Sequence, residues 1–195
     1  MFDLEEFVAD CRAAMTQDRS PAAVREVVAR AVSEPSGVLK ALGQPDRAQI
    51  QRLYHSSELT VLNVIWAPKM TIFPHNHDMW AVIGIYSGRE DNVFWRRLPG
   101  EFRKVEAAGA KSLCDKDAVP LGRDIIHSVT NPIGRLTGAI HVYGGDFSTR
   151  IAASGTPSRC SNAPAIRTGW CKFSKRRTGG WKSPRVRLDN RTYVR

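Results

Sequence analysis

From about residue 48 the chain becomes a train of short β-rich runs: 59–66 (Leu-Thr-Val-Leu-Asn-Val-Ile-Trp), 79–86, 92–97, 101–107, 124–130 and 136–143. Turn-forming text punctuates them, as in Ser87-Gly88-Arg89-Glu90-Asp91-Asn92 and Asn131-Pro132-Ile133-Gly134. Many short strands at this spacing argue for a sandwich or a barrel. Ahead of them, two segments carry apolar residues at helical spacing. Residues 3–17 hold Leu4, Phe7, Val8, Cys11 and Met15, and residues 21–33 hold Val24, Val27, Val28 and Ala31. Ser20 followed by Pro21 suits the N-cap and first turn of the second helix. The expected architecture is therefore mainly β: N-terminal α-helices over residues 1–45 packed on a β-barrel over 46–147, with a tail over 148–195.

A chain of 195 residues with 42% hydrophobic content can bury one substantial core. No stretch is apolar enough to span a bilayer, and the acidic start Met1-Phe2-Asp3-Leu4-Glu5-Glu6 lacks the basic region of a leader. A cytoplasmic protein with no membrane partner is expected. Cys11, Cys114, Cys160 and Cys171 lack metal-binding or disulfide-scaffold spacing, which favours reduced thiols. The net charge of +10 is unevenly placed. Residues 1–146 hold 17 Lys+Arg against 18 Asp+Glu, whereas residues 147–195 hold 12 basic residues and a single acid, Asp189.

Five histidines occur, and two of them, His75 and His77, stand in Phe73-Pro74-His75-Asn76-His77-Asp78-Met79-Trp80. Side chains two apart on a strand share a face. With His127 from a later strand they can close around one metal ion. A lone histidine is more often a satisfied core or surface residue, but a His-x-His pair between a proline and a strong strand is a better signal. Pro120-x-Gly122 marks the turn that swings His127 back across the barrel. Among barrels, a double-stranded β-helix suits such a site. The positions three to five after His77 are Trp80, Ala81 and Val82, so no carboxylate completes the ligand set there. Three neutral imidazoles leave open coordination positions, as catalysis needs. Imidazole suits zinc, copper, iron and nickel alike.

His141 and Tyr143 are again two apart in Ala139-Ile140-His141-Val142-Tyr143. Either they form a hydrogen-bonded core pair, or they orient substrate beside the metal. His55 follows Tyr54 at a strand end and is read as capping it. Trp66, Trp80 and Trp95 alternate with aliphatics and read as core.

The text from about residue 45 to 146 resembles the cupin superfamily, and within it the bacterial thiol dioxygenases of the cysteine dioxygenase type. The residues that carry the resemblance are Pro74-His75-Asn76-His77-x-x-Trp80-Ala81-Val82-Ile83-Gly84, Gly88-x-Glu90, His127, and His141-Val142-Tyr143-Gly144-Gly145. The resemblance implies a double-stranded β-helix (jelly-roll barrel). It implies Fe(II) bound by His75, His77 and His127, with His141 and Tyr143 as the outer pair; zinc, nickel and manganese stay open as alternatives. The implied partners are a small thiol, cysteine or mercaptopropionate in kind, and O₂, with a sulfinate as product. The alternatives are a cupin metalloenzyme for a non-thiol anion and a non-catalytic metal- or ligand-binding cupin. Three positions depart from the family. Ala139 replaces the serine of the outer Ser-x-His-x-Tyr triad, Val82 lies near the position of the crosslinking cysteine, and the carboxylate-clamping arginine has only Arg52 or His55 as candidates.

After Gly144-Gly145-Asp146-Phe147, Ser, Arg, Gly and Thr dominate. A basic arm that binds nucleic acid, with Trp170, Phe173 and Trp181 available to stack, is one reading. The other follows from the resemblance. Relatives continue with text like Phe-x-x-x-Arg-Ser-Glu-Trp-Asp-Pro, and one base restored near Ser148 permits it here. Residues from about 148 onward are then expected to be an out-of-frame translation and disordered, and nucleic acid is not expected as a partner.

Overall fold

The computed structural model describes residues 2–147; the tail read as out of frame and disordered lies outside the described residues. Three helices open the chain: α1 (Leu4–Gln17), α2 (Pro21–Ser33) and α3 (Pro35–Leu42). Asp3 accepts a hydrogen bond from the Glu6 backbone N–H at 2.9 Å, and Ser20 caps α2 with Pro21 in its first turn. Helix α3 was not expected from the sequence. At eight residues it is too short to display a helical period, although Pro35 starts it and Gly43, at φ 86°, ends it.

Among the described residues nine strands follow: β1 (Gln49–His55), β2 (Thr60–Trp66), β3 (Thr71–His75), β4 (Ala81–Ser87), β5 (Arg89–Leu98), β6 (Glu101–Cys114), β7 (Ala118–Leu121), β8 (Ile126–Thr130) and β9 (Thr137–Tyr143). They form two antiparallel sheets, ordered β1-β2-β9-β4-β7 and β3-β8-β5-β6. Strands two to nine thus alternate between the sheets, except for the β5–β6 hairpin, in the order that defines a jelly roll, and the double-stranded β-helix is the fold of this chain.

Two short strands, β3 and β7, escaped the sequence reading because each contains a proline, Pro74 or Pro120. Both run along a sheet edge, where a missing N–H is tolerated. The β3–β8 register also breaks between Ile72 and His75, around Pro74. Strand β6 extends beyond the expected 107 to Cys114, through Ala107-Ala108-Gly109-Ala110-Lys111, a stretch of low β-propensity held by pairing with β5.

The five-stranded sheet is buried on both faces. Val61, Val82, Tyr86, Ile140 and Val142 meet the helices, while Leu62, Val64, Trp66, Ala81, Ile83, Ile85, Ala139 and Tyr143 fill the barrel. This explains the largely apolar text of β2 and β9, every residue of which is buried. Gly84 permits the close approach of α2: a Cβ there would stand 2.4 Å from Val28 Cγ1.

Candidate metal centre

His75 closes β3 and pairs directly with His127 of β8, so the two imidazoles leave the sheet on one face. The expectation that His75 and His77 share a strand face is corrected here, because β3 ends at His75. His77 stands in the loop beyond. That loop turns back through Asp78, whose φ of 54° lies in the left-handed region that Asp tolerates, and Asn76 Nδ2 donates to Asp78 Oδ1 at 2.7 Å. The turn, and not strand periodicity, delivers the third imidazole.

The three rings form a tight group, with centroids 5.1 Å (His75–His77), 4.7 Å (His75–His127) and 5.0 Å (His77–His127) apart. All three are buried. One ligand nitrogen from each lies within 4.8 Å of the others, and His77 Nε2 stands 3.3 Å from His127 Nε2. Nitrogens about 2.1 Å from a common ion sit about 3.0–3.4 Å apart at octahedral to tetrahedral angles, so this pair already has the spacing of two ligands.

Hydrogen bonding sets which nitrogen faces the cluster. His75 Nδ1 lies 3.0 Å from the Phe73 carbonyl oxygen, which can only accept. Its proton is therefore on Nδ1 and its lone pair on Nε2. His127 Nδ1 lies 2.7 Å from Asn92 Oδ1 in the same manner. Burial lowers the pKa of His75. It lowers that of His127 well below the usual imidazole value, reinforced by the neighbouring His75 and His141. Neutral imidazoles with inward lone pairs are what a divalent metal requires, so the residues fit a metal ion.

His141 and Tyr143 lie on the barrel face of β9, buried, with His141 Nδ1 3.1 Å from the Tyr143 hydroxyl. The Tyr143 ring stands edge-on to His77, centroids 5.1 Å apart. Burial pushes His141 down to about 3 and raises Tyr143, which Glu90 raises further.

Four contributors were missed by the sequence reading. Glu90 is fully buried, its Oε2 accepting from Trp66 Nε1 at 2.8 Å and its Oε1 from Asn92 Nδ2 at 3.0 Å. Burial pushes the Glu90 carboxyl up to about 7, against the downward pull of those two donors. Trp66, read only as core, is thus also a donor to the site. Phe147 is buried against His77 and Tyr143. The signal for Glu90 and Asn92 was available: they too are two apart on one strand, though 87–92 was read as a turn and residues 89–92 instead begin β5.

Arg52 and His55 both lie on the barrel-side face of β1. Arg52 pairs with Leu62, which pairs with His141; His55 pairs with Thr60, which pairs with Tyr143. His55 ends its strand and its Nε2 lies 2.9 Å from Asp146 Oδ1, whereas the Arg52 side chain is exposed. Trp80 and Trp95 are half-buried. A surface recess lined by Gly88, Arg89, Cys114, Asp115, Ile133, Gly134 and Arg135 contains none of the histidines and is open to solvent. No helix among the described residues is long and apolar enough to cross a membrane.

No family model matches the sequence, and no curated protein matches it. Solved structures do. One is an RmlC-like cupin family protein with a double-stranded β-helix fold from Methanocaldococcus jannaschii, at 8% identity and a TM-score of 0.43, covering 54% of this chain and 87% of that one. Another is a cupin superfamily protein from Desulfitobacterium hafniense, at 11% and 0.41, covering 53% and 82%. A third is a Cupin 2 conserved barrel domain protein from Salinispora arenicola, at 18% and 0.41, covering 56% and 86%. These likenesses concern the fold alone.

Proposed function

We propose that this chain is a mononuclear Fe(II)-dependent dioxygenase that converts a small thiol to its sulfinate. One observation carries the reading: three buried histidines with convergent nitrogens, in a group that holds no carboxylate among the described residues, stand beside a buried His–Tyr pair. His75, His77 and His127 would hold the ion, leaving positions open for substrate. Ferrous iron in that place supplies the redox chemistry by which RS⁻ and O₂ combine to RSO₂⁻. An all-histidine ligand set keeps the full dipositive charge, which favours an anionic ligand such as a thiolate.

The chain's own residues do the positioning. Tyr143 orients the reacting groups through a hydroxyl that His141 Nδ1 holds in turn. Phe147, Tyr143 and Trp66 keep water from the site's inner wall. Holding thiolate and O₂ side by side makes proximity the main contribution of the protein. Arg52 is the candidate for the substrate carboxylate, since its register row leads through Leu62 to His141 and its side chain is exposed.

Oxygen uptake by anaerobically Fe(II)-loaded protein, offered cysteine, 3-mercaptopropionate and cysteamine in turn, tests this. Thiol-dependent uptake with sulfinate as product is expected. One bound iron and no uptake with any of the three would overturn the thiol assignment.

A further inference from the structure

We propose that Glu90 is a positioning residue for the metal centre, acting through Asn92 to fix His127 in its metal-binding tautomer; the inference rests on the metal-site reading above. Glu90 sits fully buried at the start of β5, two residues before Asn92, and both side chains face the barrel interior.

The argument is one of donors and acceptors. Asn92 has one accepting end and one donating end. Its Nδ2 is 3.0 Å from Glu90 Oε1, so the donating end is committed to the carboxylate. Its Oδ1 must then be the end facing His127 Nδ1, at 2.7 Å. An amide oxygen only accepts, so His127 carries its proton on Nδ1 and turns the Nε2 lone pair toward His77 and His75. Were the amide reversed, its N–H would meet Nδ1, the proton would move to Nε2, and His127 would lose the lone pair a metal needs.

Glu90 is held in its own orientation by Trp66 Nε1, a group that can only donate, 2.8 Å from Oε2. The remaining neighbour is His141 Nε2, 3.8 Å from Oε2, a buried nitrogen with no hydrogen-bond partner. A proton on Glu90 is received on that side, leaving Oε1 an acceptor for Asn92. The orientation of Asn92 therefore holds in either protonation state. The arrangement lengthens by one amide the familiar carboxylate–histidine–metal chain. It also places the outer His141–Tyr143 pair and the ligand His127 on two sides of one carboxylate.

The test is the imidazole ¹⁵N spectrum of the metal-free protein, together with Zn(II) affinity by chelator competition. Wild type should show His127 as the Nδ1–H tautomer. Glu90→Gln offers a single acceptor to two committed donors, Trp66 and Asn92. It should shift His127 toward the Nε2–H form and weaken Zn(II) binding by roughly ten- to a hundredfold. Asn92→Leu, which leaves Glu90 in place, should do the same. The double variant should bind no more weakly than either single one, because both break one relay. A His127 that stays Nδ1–H in these variants, or effects that multiply, would overturn the proposal. If Glu90→Gln does not fold, the spectrum and affinity of Asn92→Leu decide alone. A wild type that binds metal but oxidises no thiol sinks the functional reading and leaves this result standing.

Discussion

The Phe147 ring lies flat on the Tyr143 ring, centroids 4.0 Å apart and planes within 2° of parallel. Phe147 is 1% exposed and its backbone N–H donates to Thr60 Oγ1 at 3.1 Å, so the chain is anchored where it leaves β9. The same ring meets His77 edge-on at 5.8 Å. Phe147 thus packs against one side of the candidate metal centre.

Phe147→Ala should destabilise the protein by about 3–5 kcal/mol, the range for removing a buried aromatic side chain. Phe147→Leu should lose less than about 1.5 kcal/mol, because the site stays filled. Urea titrations of the metal-free proteins measure both. A loss below about 1 kcal/mol for the alanine variant would mean that the ring is not seated.

His77→Ala should abolish stoichiometric metal binding while leaving the fold largely intact. His77 reaches the cluster from the loop after β3 and takes no part in the strand ladder, so its removal leaves the β3–β8 pairing undisturbed. Metal content after loading and the far-ultraviolet spectrum give the two answers. Wild-type iron content would remove the three-histidine site from consideration.

Both halves of that prediction bear on what could be read beforehand. The β2 and β9 runs were legible because these strands are buried on both faces, which demands largely apolar text. His75, His77 and His127 were legible as a group by ligand spacing, although the stated geometry was wrong for His77, which a left-handed Asp78 redirects. Glu90 and Asn92 were passed over for another reason. Within Ser87-Gly88-Arg89-Glu90-Asp91-Asn92 polarity reads as a turn, and what makes those side chains buried is supplied from Trp66 and His127, 24 and 35 residues away from their respective partners. Short edge strands with a proline fail for a similar reason, since only the neighbouring strand holds them.

Stability of the metal-free protein should fall as pH drops below about 6.5, the ordinary imidazole value. His75, His127 and His141 all have native pKa values below it, so between their native and ordinary values the unfolded chain binds the protons and the native state does not. Stability is then fully present above the unfolded value and lost as pH falls. Glu90 acts in the opposite direction. Raised from 4.5 to about 7, it binds a proton in the native state first, which favours folding on acidification within that window. Three groups against one leave a slope of up to roughly two protons between pH 4.5 and 6.5. Urea midpoints across that range should show it, and a flat profile would contradict neutral burial of the three histidines.

Arg52→Ala should separate substrates by their tail and not by their thiol. Among the two candidates for a carboxylate clamp, His55 is engaged with Asp146, while Arg52 keeps an exposed guanidinium on the barrel-side face, two strands from His141. Neighbouring strands lie about 4.8 Å apart, so about 10 Å of backbone separation is left for the arginine side chain and the substrate to bridge. A charge-assisted pair with a carboxylate there is worth about 1.5–3 kcal/mol. Loss of it should raise KM for cysteine and 3-mercaptopropionate by roughly ten- to a hundredfold. Cysteamine, which has no carboxylate, should be turned over as before, and kcat should change little for any of the three, because the group removed binds ground state and transition state alike. Equal losses for all three thiols would mean that Arg52 supports the edge of the sheet and does not read the substrate.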